Sequence, residues 1–228
     1  MPPQPPPTLL TLPLELRYQI YDFLCPPTPQ SYPYTQPSPL TAISHAKPPL
    51  SLLLLTSSLF HEIKTHYFTR CTFRMVAQSF SNASSITNMP AASLLVIRNM
   101  RRVELLLLPG TIKAALVPPD VSLTTRAMSD LWLSRQAALL RDEAGELRTV
   151  VVSLRRVSWN HEWSMREEME GLLRPLGVLR GRGVEFRIGE VTGPAGVEWE
   201  MRRELGRVLE ELHGGPVCCD DGGAFAKS

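Results

Sequence analysis

The chain has 228 residues, 43% of them hydrophobic and 20% charged, a balance that fits a soluble globular protein with room for one good core or two small ones. A formal net charge of +2 excludes a protein held to nucleic acid by bulk electrostatics. The four cysteines, Cys25, Cys71, Cys218 and Cys219, lack a C-x-x-C…C-x-x-C arrangement, so no zinc site and no other cofactor is expected, and reduced thiols in cytoplasm or nucleus are the default.

Residues 1–8 contain "PPQPPP" and should be disordered, because proline lacks an N–H and clashes with the preceding helical turn. No basic flank precedes an apolar core there, so no secretory signal is expected. "TLPLELRYQIYDFLC" (Thr11–Cys25) has helical periodicity, with Pro13 suited to the first turn and Glu15 near the positive end of the dipole. Residues 26–49 are proline-dense and aperiodic, which predicts a mobile insertion; a polyproline-II ligand for an aromatic groove is the alternative. A second amphipathic helix follows, with Leu52, Leu55, Leu59 and Ile63 at helical spacing, and then a short strand, "CTFRMV" (Cys71–Val76).

From about Arg98 the pattern becomes α/β. "RRVELLLLP" (Arg101–Pro109) and "LRTVVVSLRR" (Leu147–Arg156) are continuous apolar runs that fit strands buried on both faces of a parallel sheet. "GVEFRIGEV" (Gly183–Val191) alternates and fits a half-exposed or edge strand. Helices are predicted over 124–145, over 164–181 with Ser164 and Glu167 as a capping box and a kink at Pro175, and over 196–214. The tail, 214–228, should be disordered. The fold class is therefore α/β (α+β overall): N-terminal helices over 9–80, then a small, mostly parallel strand–helix region over 81–213 whose spacing is that of degenerate leucine-rich repeats. The apolar runs are too short to span a bilayer, so no membrane partner is expected.

The candidate chemistry is sparse. "HEIKTH" (His61–His66) is one residue too long for H-E-x-x-H, and side chains at i and i+5 sit roughly 140° apart on a helix. His161 in "WNHEW" lies between Trp159 and Trp163 beside Glu162, a cluster that could hold a ligand but fits better as a loop packing its tryptophans on the sheet. "CCDD" (Cys218–Asp221) could hold a soft metal only as a minor possibility in a glycine-rich tail. The pairs Arg101–Arg102, Arg155–Arg156 and Arg202–Arg203 could line a basic rim, although solvated strand ends and helix-surface ion pairs explain them as well. No catalytic constellation is assembled, and the chain is not expected to be an enzyme.

The helix at 11–25 carries two apolar stripes. Leu12, Leu16, Ile20 and Phe23 share one quadrant, and Leu14, Tyr18, Tyr21 and Cys25 lie roughly opposite. Such a helix is either deep in a core or wedged between its own domain and a partner. The stretch "LPLELRYQIYDFL" resembles the opening of the F-box and fungal F-box-like families, L-P-x-E-[LI]-R-x-x-I-[YW], matched at Leu12, Pro13, Glu15, Leu16, Arg17, Ile20, Tyr21 and Leu24. The later "LLLLTSSLFHEIKTHYFTRCTFRM" is similar to that family's second block, matched at Leu53–Leu55, Thr56, Leu59, Glu62, Tyr67 and Phe73, with Ser57–Ser58 replacing the usual Cys-Arg. The resemblance covers the first third of the chain. It implies N-terminal helices that dock on the Skp adaptor of a cullin–RING ubiquitin ligase and a C-terminal part that recruits an unknown protein substrate. An interaction or scaffold protein keeping the fold without ligase docking is the alternative. The partner-facing residues expected on this basis are Leu12, Pro13, Leu14, Tyr18 and Tyr21, with Leu16 and Ile20 in the core; periodicity alone also permits the reverse.

Overall fold

The β-branched and leucine-rich runs of the chain become neighbours in one sheet. The computed structural model describes residues 8–32, 38–77, 89–108, 125–156, 164–220 and 225. Its strands are β1 (Gln30–Ser31), β2 (Leu40–Ile43), β3 (Phe73–Val76), β4 (Arg102–Leu107), β5 (Thr149–Arg155), β6 (Glu185–Thr192) and β7 (Cys218–Cys219). They lie side by side in sequence order; β1–β2 and β2–β3 are antiparallel, and every pair from β3 to β7 is parallel. This is the mostly parallel α/β architecture expected.

Val103, Val150 and Phe186 stand in register across β4, β5 and β6, as do Leu105, Val152 and Ile188 two residues on. Side chains alternate along a strand, so these six share one face. They form the main core with Ile97 of α4 (Ala91–Asn99), Leu133 and Leu140 of α5 (Thr125–Glu143), Met169 and Leu173 of α6 (Met165–Leu173), and Leu205 and Leu209 of α7 (Glu198–His213). Each crossover steps one strand in the same direction, so right-handed connections carry α4–α7 to that face. α7 buries Met201, Leu205, Val208 and Leu209 at helical spacing and stops at Gly214, whose φ of 80° is the left-handed conformation that glycine adopts without strain. The change expected at Pro175 is not a bend within one α-helix. α6 ends at Leu173 and a 3-10 segment, Arg174–Leu179, continues the chain and buries Leu176 and Leu179. Ser164 precedes α6, but its side chain makes no capping hydrogen bond.

Two expectations are corrected. The segment 26–49 is not a passive loop: it supplies β1 and β2, and buries Tyr32, Leu40 and Ile43. A bulge between Leu40 and Ala42 turns Leu40 and Ile43, three residues apart, into the same core, where strict alternation would set them on opposite faces. The tail at 214–228 is not uniformly disordered: β7 pairs with β6, Asp220 N–H donates to Ile188 O at 2.8 Å, and Phe225 is buried. The regions 9–80 and 81–213 share one sheet, because β3 of the first pairs with β4 of the second.

Candidate protein-docking surface

α1 (Leu14–Leu24) packs on α3 (Ser57–Arg70), with the single-turn α2 (Leu50–Leu53) beside them. Thr56 caps α3, accepting the Leu59 N–H on its hydroxyl at 3.2 Å. A small second core of Tyr21, Leu59 and Ile63 joins the helices.

Polar side chains fix which face of α1 turns inward. Arg17 donates twice to Glu62, from Nε at 2.8 Å and from Nη2 at 3.0 Å, a bidentate pair whose two side chains are largely shielded from water. The Tyr21 hydroxyl donates to the same carboxylate at 2.9 Å. One turn on, His66 Nε2 lies 2.8 Å from Asp22 Oδ1, Arg70 donates to Asp22 Oδ2 at 3.0 Å, and the Tyr18 ring stacks on His66. The Arg17 guanidinium holds the Glu62 carboxyl below the usual carboxylate range, against the opposing effect of burial. Burial works against charge on Asp22 as well, but the hydrogen bonds from His66 and Arg70 outweigh it and hold that carboxyl low. Burial, and then the hydrogen bond to Glu62, pushes the Tyr21 hydroxyl up to about 12.

The clasp departs from the expected assignment of the stripes at Tyr21 and Leu16, while Ile20 is half-buried against the second core as expected. Tyr21 is 0% exposed and unavailable to a partner, and Tyr18 is half-buried against His66. Leu14 and Pro13 are exposed, and Leu12 is half-buried. Leu16, expected in the core, is 44% exposed and Phe23 is 83% exposed, and Leu12, Leu16, Ile20, Phe23 and Leu24 line an open groove of about 360 Å³ with Gln19. Leu50, Leu54, Leu55 and Phe60, around α2 and the start of α3, add further exposed apolar area. Burying a Tyr calls for a partner for its hydroxyl, which Glu62 supplies.

The other candidates do not assemble. His61 is exposed on α3 while His66 is buried against Asp22, so the two histidines do not share a site. Among the described residues no group of three or more His, Cys, Asp or Glu could hold a metal ion. His161, Trp159, Trp163 and Asp221 lie outside the described residues. The arginine pairs do not form one basic rim: Arg101 reaches Thr69 and Glu146, Arg102 pairs with Asp220, Arg155 with Glu190, Arg156 with Glu168, and Arg203 with Glu204. No helix among the described residues is long and apolar enough to cross a membrane. No protein-family model, curated protein or solved structure matches the chain.

Proposed function

We propose that the chain is a non-catalytic F-box-like receptor whose N-terminal helices dock on a Skp-type adaptor of a cullin–RING ubiquitin ligase, and whose α/β part recruits a protein substrate. The observation that carries this reading is the unpartnered apolar face of α1, with Leu16 and Phe23 in the open, on the stretch with the family pattern. Exposed apolar area of this kind, rimmed by Glu15 and Gln19, is what a protein partner covers. Arg17, Tyr21 and Glu62 have a supporting part here, since they hold α1 on α3 with that face outward. The test is capture of purified recombinant adaptor by the full chain, with and without Leu16→Ala/Phe23→Ala. Saturable capture lost in the variant supports the reading; absence of capture by the unaltered chain removes it.

The second reading, an interaction or scaffold protein keeping the same helical unit without ligase docking, is favoured by one feature. Ser57 and Ser58, exposed in the first turn of α3, replace the family's Cys-Arg. On this reading the groove takes a different protein and the adaptor is not captured.

A further inference from the structure

The sheet face opposite α4–α7 has its own chemistry. Arg74 on β3 and Glu104 on β4 stand in register and form a bidentate pair, with Arg74 Nε to Glu104 Oε2 at 3.1 Å and Nη2 to Oε1 at 3.2 Å. Ser153 of β5 fixes the carboxylate further, donating its hydroxyl to Glu104 Oε1 at 2.6 Å while accepting the Glu190 N–H at 3.1 Å. The guanidinium plane is therefore held in place before anything stacks on it. The Phe225 ring lies against it, with Arg74 Cζ 4.0 Å from the ring centroid. On the same face, two residues before Glu104 on β4, Arg102 forms an ion pair with Asp220, while Arg187 of β6 is held by its own bidentate partner Glu185. On β6, Gly189 keeps the floor low beside β5: a Cβ there would collide with Ser153 Oγ and stand 2.8 Å from Val151 Cγ1. Two recognition elements thus share this face, Arg102 for a carboxylate and the fixed Arg74 guanidinium for an aromatic ring.

The occupant of both is a segment with few means of holding itself there. β7 is a two-residue edge strand. It is preceded by Gly214–Gly215, which raise the entropic cost of ordering the chain. Segments of this kind lie at the low-stability end of a fold and open locally.

We propose that this face is a peptide-binding surface for a segment of a partner protein that carries a carboxylate and, about five residues further on, an aromatic ring, and that the chain's own Asp220 and Phe225 occupy it in the free protein. The tail then acts as an intramolecular competitor, and a partner segment gains access by displacing it. The inference holds whether or not α1 docks an adaptor, and its test involves no adaptor. A dye-labelled peptide of residues 216–228, carrying Cys218→Ser and Cys219→Ser, is titrated by fluorescence anisotropy against the full chain and against full-length Asp220→Asn/Phe225→Ala. Removing the tethered competitor should tighten peptide binding by at least ~10-fold, and a peptide with Phe225→Ala should bind the variant chain at least ~10-fold more weakly. Equal affinity for the two chains, or no binding to the variant at ~1 mM peptide, overturns the proposal. Hydrogen exchange on the unaltered chain guards against a misfolded variant. Saturating peptide should expose the Asp220 N–H, which donates to Ile188 O at 2.8 Å, and unchanged protection there also overturns it.

Discussion

Phe23→Ala separates docking from folding. Phe23 is 83% exposed, so its ring contributes little to the free chain, and truncation should cost within about 0.5 kcal/mol in urea denaturation. A Phe side chain offers roughly 200 Å² of apolar surface, so the exposed share is about 170 Å²; at about 25 cal/mol/Å² its complete burial by a partner is worth at most about 4 kcal/mol. Imperfect fit and lost rotamer freedom reduce this to the range of an interface hot spot, about 2 kcal/mol, or a roughly 30-fold weaker adaptor Kd by calorimetry. Tyr21→Ala should behave oppositely: removal of a fully buried ring and of one Glu62 hydrogen bond should destabilise the free chain by about 3–5 kcal/mol. The reasoning is refuted if Phe23→Ala destabilises the free chain by about 2 kcal/mol or more, or if it leaves a measurable adaptor affinity unchanged.

Four further outcomes are expected. Glu62 and Asp22 have lowered folded-state pKa values, so the stability they contribute is present above the ordinary carboxylate pKa of about 4 and is lost as pH falls through the lowered values. Tyr21 is raised to about 12, so its contribution is present below about 10 and is lost as pH climbs toward 12; Tyr21→Phe should abolish that alkaline limb in a stability–pH profile, and an unchanged limb would count against the clasp. Deleting 27–47 should lower unfolding free energy by more than about 4 kcal/mol, because burial of Tyr32, Leu40 and Ile43 is worth about 1.5–3 kcal/mol each; an unchanged urea midpoint would return the segment to the status of a passive loop. Gly189→Ala should cost about 1–3 kcal/mol by crowding Ser153 and Val151, and a neutral result would mean that β5 and β6 shift apart freely.

What was legible in the sequence was local and periodic. β4 and β5 showed as apolar runs long enough to stand out, and α7 as a helical face ended by glycine. What was missed depended on partners far along the chain. β2 lies among prolines and carries a bulge, so neither composition nor alternation reveals it, and its strand character comes from pairing with β3. β7 is two cysteines long, too short for any pattern. α4 went unnoticed because Pro90 opens it and it spans only Ala91–Asn99 before β4 begins. The two stripes of α1 were visible, but periodicity has no means of ranking them. Glu62 ranks them, through Arg17 and Tyr21, from 45 and 41 residues away.

The two surfaces belong to one continuous element. α3, which carries Glu62, passes into β3, which carries Arg74, through Cys71 and Thr72 alone, and both of these are buried. The backbone there is tied on both sides of the junction: the Thr72 N–H donates to Ser44 Oγ at 2.8 Å, the Ser44 N–H donates to Thr72 O at 3.0 Å, and Cys71 N–H closes the last turn of α3 onto Tyr67 O at 2.8 Å. Relative motion is the default between units joined by a small interface and a solvated linker. Here the joint has neither, because the sheet runs unbroken from β1 to β7 and the segment that was expected to be a mobile insertion supplies Ser44. A chain built this way would hold the proposed groove and the proposed peptide face at a fixed relative orientation. A partner segment that replaces Asp220 and Phe225 would be presented at an angle set by the α3–β3 junction, and the proline-rich stretch that looked dispensable is part of what sets it.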